Sequence, residues 1–355
     1  MSRILFLVPY PLQEAPSQRF RFEQYFDKLT QNGHTFSVQS FIDKTTWNIL
    51  YKPGYTLKKI SGILKGFARR FAQLFSLSAY DYVFIHREAS PIGPPVFEWL
   101  IANVFKKKII FDFDDAVWLP NTSNANKIAA SVKWHSKTGS ICKWAYKCSC
   151  GNEFLANYAR QFNPNAIVNP TTIDLENYHS GTKNQSEIPI KIGWTGTHTT
   201  LKYINEIIPV FQILQSKINF SIVIISNKKP EIDLQNIEFI QWQKESEIKD
   251  LLRFHIGIMP LTDDDWSRGK CGFKALQYMS LGIPALASPV GVNTQIINNG
   301  INGFLCSTPQ EWEEALLQLL QNENLRCEMG KKAQQKIASH YSVEANTPNF
   351  LALFS

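Results

Sequence analysis

What most constrains this chain is an alternation of short apolar runs with longer helical patterns, which stops once in a polar stretch and then starts again. Strand, helix, strand in succession calls for parallel strands with helices on the sheet faces, because parallel strands need a crossover connection. Residues 3–8 form an apolar run ended by Pro9, and Phe22, Tyr25, Phe26 and Leu29 follow at helical spacing before Asn32-Gly33. Residues 34–38, 82–86 and 108–111 read as further strands, with 148–150 and 166–169 as the last of this half. Residues 174–187 are polar, lack periodicity and contain Ser180-Gly181, the composition of a linker. The alternation resumes with strands at 190–194, 220–225, 237–240, 256–259, 285–287 and 303–306, and two helices fill 310–340. The expected fold is α/β, with two Rossmann-like, doubly wound domains at 1–174 and 188–340 and a linker at 175–187. Such a pair would face a cleft between the C-terminal edges of two sheets, where ligands bind in folds of this kind.

A chain of 355 residues exceeds one comfortable core, which agrees with two domains. With 44% hydrophobic and 19% charged residues it belongs among globular rather than disordered chains. The opening apolar run is only about five residues and lacks a small-residue cleavage site, so it is not a signal peptide. No apolar stretch reaches the ~18 residues of a membrane span, and a cytoplasmic location is expected. Six cysteines do not make a disulfide scaffold at this length. Cys142, Cys148 and Cys150 lack zinc-site spacing, so reduced, unliganded thiols are expected.

The net charge of +7 is local. Lys44, Lys52, Lys58, Lys59, Lys65, Arg69 and Arg70 lie between Lys44 and Tyr80 with no acidic residue, and the rest of the chain holds 30 basic against 30 acidic residues. Within residues 57–75, Leu57, Ile60, Ile63, Leu64, Phe67, Phe71, Leu74 and Phe75 fall at helical spacing, and Lys58, Lys59, Lys65, Arg69 and Arg70 occupy other positions. A basic amphipathic helix of this kind suits an anionic membrane surface. The competing explanation is a domain helix with its apolar face in the core and a solvated basic face. No nucleic-acid recognition motif accompanies the charge.

Three strand-to-helix turns carry the chemistry. In Ile192-Gly193-Trp194-Thr195-Gly196-Thr197-His198-Thr199-Thr200 the glycines can let backbone approach a ligand, and Thr199 or Thr200 can cap a helix showing Leu201, Ile204, Ile208 and Phe211 on one face. Exposed N–H groups at a helix start bind phosphate, although an ordinary capped turn has the same composition. The dinucleotide fingerprint Gly-x-Gly-x-x-Gly is absent. Further on, an acidic-then-basic loop gathers Arg268, Lys270 and Lys274 near a helix expected to begin at Phe273. Cations at a helix N-terminus are unfavourable unless an anion such as a diphosphate neutralises them. The alternative is a solvated loop in which Asp263, Asp264 and Asp265 offset them. Ser288-Pro289-Val290-Gly291-Val292-Asn293 is the third such turn.

Gly193-Trp194-Thr195-Gly196, Arg268-Gly269-Lys270-Cys271-Gly272-Phe273-Lys274, Leu276-Gln277-Tyr278-Met279-Ser280-Leu281-Gly282-Ile283-Pro284 and Ser288-Pro289-Val290-Gly291-Val292-Asn293 resemble glycosyltransferase family 4. The likeness extends to Ser17-Gln18-Arg19-Phe20-Arg21, His86-Arg87-Glu88, Phe111-Asp112-Phe113-Asp114-Asp115-Ala116-Val117-Trp118 and Gly151-Asn152-Glu153-Phe154-Leu155-Ala156. The resemblance implies a GT-B fold whose C-terminal helix, 341–355, crosses back to the first domain. It implies transfer of a hexose from a UDP- or GDP-linked sugar, with retention and without metal or other cofactor. The implied acceptor is a bacterial cell-envelope glycan or a lipid-linked molecule at the inner face of the membrane. Donor contacts are expected from Gly196, Thr197, His198, Thr199, Trp242, Arg268, Lys270, Lys274, Gln277, Gly291, Val292 and Asn293. Acceptor contacts are expected from Arg19, Arg21, His86, Asp114 and Asp115, and catalytic roles from Lys270, Lys274, Asp112 and Asp114.

The sequence departs from the family at its carboxylates. The usual glutamate pair falls on Gly269 and Gln277, and a third common glutamate falls on Gln295. Gln277 can still reach a ribose hydroxyl without charge assistance. The missing carboxylates leave open a non-catalytic nucleotide-sugar-binding scaffold or, more remotely, a sugar-nucleotide epimerase. Asp112-x-Asp114 resembles the divalent-cation signature of another glycosyltransferase class. That class has a single nucleotide-binding domain, however, and a cationic loop makes a metal redundant at the leaving group.

Overall fold

A computed structural model of the chain describes residues 1–120 and 134–355. Two compact units emerge, one of residues 1–171 with 346–355 and the other of residues 172–345.

The first unit holds six parallel strands: β1 (Arg3–Val8), β2 (Thr35–Ser40), β3 (Tyr82–His86), β4 (Lys108–Phe113), β5 (Lys147–Cys150) and β6 (Ala166–Val168), in the order β2-β1-β3-β4-β5-β6. The central strands β1, β3 and β4 are almost continuous apolar runs because helices cover both faces of a parallel sheet. The core is unusually aromatic. Phe6 packs against Phe22, Phe26, Phe36 and Phe84, and Phe350 and Phe354 close the same cluster. Phe6, Phe22 and Phe84, which are fully buried, each contribute about 1.5–3 kcal/mol.

The second unit repeats the scheme with β7 (Lys191–Gly196), β8 (Ser221–Ser226), β9 (Ile237–Gln241), β10 (Ile256–Met259), β11 (Ala285–Ala287) and β12 (Gly303–Leu305), in the order β12-β11-β10-β7-β8-β9. Every neighbouring pair is parallel. Trp194, Phe211, Phe220 and Trp312 anchor its core. The strand order reverses between β1 and β3 in the first unit and between β7 and β10 in the second. At such a point the connections diverge and leave a crevice outside the strand C-termini.

Several local expectations change. The segment after Thr199 is a 3-10 stretch, His198–Ile207, and an α-helix begins only at Ile208. Pro209 has no N–H to donate to residue 205, so a continuous α-helix cannot pass through it. The helical spacing from Phe22 to Leu29 is split into a 3-10 turn, Glu23–Tyr25, and a short helix, Phe26–Gln31, and a separate one-turn helix, Pro16–Arg19, precedes the buried Phe20, Arg21 and Phe22. Residues 174–187 are not a slack linker, since His179, Lys183 and Gln185 are buried. Gln185 accepts from Arg326 Nε at 3.1 Å and donates to the His255 carbonyl, which satisfies polar groups that composition alone places in solvent. All six cysteines are free, five of them buried. No helix among the described residues is long and apolar enough to cross a membrane.

Candidate functional sites

In the first unit β4 runs two residues further than its apolar core, so Asp112 lies inside the strand rather than in the loop after it. It is fully buried and surrounded by donors. Arg21 reaches it at 2.5 Å, His86 Nδ1 at 2.8 Å and the Ser149 hydroxyl at 2.7 Å. Burial alone would raise its carboxyl pKa, but Arg21 and then His86 hold it well below the usual range. Arg21 also donates to the Asn169 carbonyl. Asp112, expected to be catalytic, and Arg21, expected at the acceptor, are thus joined in one interior ion pair. Arg19 is also buried, with its guanidinium 4.9 Å from the Phe20 ring centre.

One layer out, at the ends of β3 and β4, Arg87 Nε donates to Asp114 at 2.8 Å and its NH2 group to Asp115 at 2.6 Å. Burial would lower the Arg87 pKa, but the two carboxylates raise it above its ordinary value. Arg87 has φ of +60°, an uncommon conformation for a non-glycine residue, and its N–H is held by the Asp112 carbonyl at 2.7 Å. Asp112 can only accept, so His86 Nδ1 carries the proton of that hydrogen bond. The other ring nitrogen, Nε2, is buried with no hydrogen-bond partner among the described residues, 4.0 Å from Asp114 Oδ1. A small cavity beside them is lined by Tyr10, Arg87, Glu88, Val117, His135 and Lys137, among others. Burial and then Tyr51 push the Tyr10 hydroxyl up to about 12. Lys137 is anchored on Glu88 at 2.7 Å and on the Ser90 carbonyl. Among the described residues no three His, Cys, Asp or Glu side chains form a metal-holding group. Tyr10 and Lys137 carried no motif, although Tyr10 follows a strand-ending proline, which is a usable signal.

In the second unit the three turns converge at the strand-order reversal. The indole of Trp194 in β7 lies 5.7 Å beneath Lys274 Nζ, and the Thr195 N–H donates to the Tyr278 hydroxyl at 3.0 Å. Tyr203 and Ser267 hydroxyls meet at 3.2 Å, which ties the 3-10 stretch to the basic loop. Leu261 N–H donates to Ser288 Oγ at 2.9 Å, joining that loop to the turn at 288–293. Gly291 has φ of +55°, and a Cβ there would lie 2.8 Å from the Arg268 carbonyl oxygen, so the two turns touch backbone to backbone. Gly196, Thr197, His198 and Thr199 thus share this edge with Arg268, Lys270, Lys274, Gly291, Val292 and Asn293. His198 N–H donates to Asn227 Oδ1 at 2.8 Å, and Asn227 is a neighbour the sequence did not mark.

Four residues of these motifs have neighbours within the unit that the sequence did not mark. Gly193 does not open backbone to a ligand, because a Cβ on it would enter the Phe254 ring. Arg268 sits in the last turn of its own short helix, Asp265–Arg268, and pairs with Asp263 at 2.7 Å and Asp265 at 3.3 Å. Gln277 is buried, with its Nε2 3.4 Å from His179 Nε2. Trp242 lies past β9, where its indole N–H donates to Glu247 at 3.2 Å. Lys270 keeps its Nζ 5.5 Å from the Trp266 ring centre.

Residues 183–336 match the family model of glycosyl transferases group 1. The match lies wholly within the second unit and spans all three converging turns. At full length the chain resembles sucrose-phosphate synthase from Thermosynechococcus elongatus, with 11% identity, TM-score 0.70, and 100% of this chain and 98% of that one covered. It also resembles HepE from Anabaena in complex with UDP-glucose, with 11% identity, TM-score 0.65 and coverage of 100% and 99%. The catalytic domain of starch synthase IV from Arabidopsis thaliana, bound to ADP and acarbose, gives 10% identity, TM-score 0.68 and coverage of 99% and 98%. At such identities the likeness is one of fold, and the fold is GT-B, with two Rossmann-like α/β domains. No curated protein matches the chain by sequence.

Proposed function

We propose that the chain is a glycosyltransferase whose second unit holds a nucleoside diphosphate sugar. The observation that carries this reading is the coincidence of the glycosyl transferases group 1 match with the edge where Lys270 and Lys274 stand beside two further helix-opening turns. In the reaction the bond from the anomeric carbon to the diphosphate oxygen breaks, and the diphosphate keeps the electron pair. The acceptor hydroxyl oxygen bonds to the anomeric carbon and gives up its proton to the departing diphosphate oxygen. Lys270 and Lys274 supply the positive charge that the leaving diphosphate needs, in place of a metal. The reading extends to family 4, to a hexosyl donor, to retention and to a bacterial cell-envelope or lipid-linked acceptor on the strength of the motif resemblance alone. His86 and Asp114, with Asp115 beside them, are placed on the acceptor side.

Calorimetric titration with UDP and GDP tests the donor site. Lys270→Ala and Lys274→Ala should each weaken binding by about 1.5–3 kcal/mol, the scale of charged hydrogen bonds. Unchanged affinity in both variants sinks the assignment. Gly269 and Gln277, at positions where the family has carboxylates, favour a second reading as a non-catalytic binding scaffold. Release of nucleoside diphosphate from a panel of sugar donors, with chelator present, decides between the two. Binding without release selects the scaffold.

A further inference from the structure

The helix Thr56–Leu74 and the Phe75 after it turn more of their large apolar side chains to solvent than to the unit they pack on, with Phe67 the inward exception against Phe41. It packs on its unit through Gly62, Gly66, Arg70 and Leu74, one residue per turn along a single stripe. Two glycines in that stripe bring the backbone close: a Cβ on Gly66 would stand 2.7 Å from the Phe41 carbonyl oxygen, and one on Gly62 would enter the Thr46 side chain. Arg70 is wholly inside, donating to the carbonyls of Val8, Gln39 and Ala89. Arg69 donates to the Phe41 carbonyl and pairs with Asp43. Two of the five cations of residues 57–75 therefore serve the protein itself, and neither a membrane-facing nor a solvated basic face describes them.

Most of the apolar side chains point out. Leu57 is 82% exposed, Leu64 63%, Phe71 58% and Phe75 74%, with Ile60 half exposed between them. Lys58 and Lys65 flank this stripe and have no carboxylate partner among the described residues. Ahead of the helix, Tyr51 and Tyr55 are exposed around Lys52, and Lys59 donates to the Lys52 carbonyl at 2.6 Å. Tyrosine and lysine are side chains suited to the boundary between lipid tails and water. From Lys44 to Tyr80 there is no acidic residue to repel an anionic surface.

We propose that the outward face of Thr56–Leu74 seats the first unit on a bilayer carrying anionic headgroups. The apolar stripe enters the acyl boundary, and Lys52, Lys58, Lys59 and Lys65 meet the phosphates. Charge decides the occupant, because an apolar stripe flanked only by cations complements anionic lipid, whereas a second copy of the same face would set cation against cation. The stripe runs about five turns in one plane, which suits a helix lying in the interface rather than crossing it.

The experiment is co-sedimentation with vesicles of phosphatidylcholine alone and of phosphatidylcholine with about a third phosphatidylglycerol, at low and high salt. The protein should partition onto the anionic vesicles, and salt should weaken the binding. Joint substitution Leu64→Ser, Phe71→Ser, Phe75→Ser should lower partitioning at least about ten-fold. Lys58→Ser and Lys65→Ser should each lower it about five-fold on anionic vesicles only. A Phe71→Trp variant gives an independent readout, since its emission should shift to the blue on anionic vesicles. No sedimentation at low salt, or unshifted emission, overturns the proposal. So does a stable dimer in solution that Phe71→Ser and Phe75→Ser convert to monomer. Nucleotide affinity, measured on the same samples, should not change in any variant, so failure here leaves the sugar-transfer reading standing.

Discussion

The two units end their strands in the same topological place but treat charge there in opposite ways. In the first, Arg21 with Asp112, Arg87 with Asp114 and Asp115, and Lys137 with Glu88 are settled against one another, and Arg21, Asp112 and Lys137 lie inside the protein. In the second, Lys270 and Lys274 rest on indole faces, and Arg268 holds two exposed aspartates at the surface. A buried pair broken on one side strands a charge in a medium that cannot solvate it, whereas an exposed pair is replaced by water. Substitution at the first edge should therefore cost stability, and substitution at the second should cost ligand.

The sharpest test of that contrast is Asp112→Asn, which keeps the shape and removes the charge that neutralises Arg21. It should lower unfolding free energy by about 3–5 kcal/mol in a urea titration. A loss confined to activity would make Asp112 a reacting group and erase the distinction between the edges. The depressed Asp112 pKa has a sign that can be checked as well. Its contribution is present above the unfolded carboxyl value of about 3.9 and is lost as pH falls below it.

The second unit keeps its own buried titratable group away from the ligand edge. His255, just before β10, accepts the Lys191 N–H at 3.0 Å, and burial, followed by Lys183 and Arg326, brings it down to about 4. The folded state holds it neutral while the unfolded chain takes a proton near pH 6.5, so its stabilisation is present above about 6.5 and is lost as pH falls toward about 4. The swing is at most ~3 kcal/mol. His255→Asn keeps an acceptor for Lys191 and should flatten the fall in urea midpoint between pH 6.5 and 5. An equal slope in both proteins would move the pH sensitivity elsewhere.

At the small end, Arg268→Ala should leave the thermal midpoint unchanged within error, since the guanidinium and its partners are in solvent. A clear loss of stability would mean that the loop at 263–268 is built like the first unit's edge.

The strands were legible because residues 3–8 and 82–86 are runs that only a sheet covered on both faces can bury. The turns were legible because Gly291 and the cationic stretch at 268–274 have no use in a plain helix start. Pairing was not legible. Arg21 and Asp112 are 91 positions apart, and nothing local in Ser17–Arg21 says that its second arginine turns inward. Residues 174–187 misled for the same reason, since Gln185 is polar but its partner Arg326 lies 141 positions away. The helix Thr56–Leu74 shows that periodicity finds a face without saying which way it points. There the inward stripe holds two glycines and an arginine, which a hydrophobicity pattern passes over.

The aromatic cluster of the first unit has a consequence in time. Phe350 stacks on Tyr25 with ring centres 4.2 Å apart, and Phe354 touches the rings of Phe6, Tyr82 and Phe84. On the ribosome, residues 1–171 emerge with that seam open, and it stays open while the whole of 172–345 is made. At about 5–20 residues per second, synthesis of that intervening stretch takes roughly 10–35 s. The intervening unit carries its own core and can fold meanwhile, so the half that begins first is the half that finishes last.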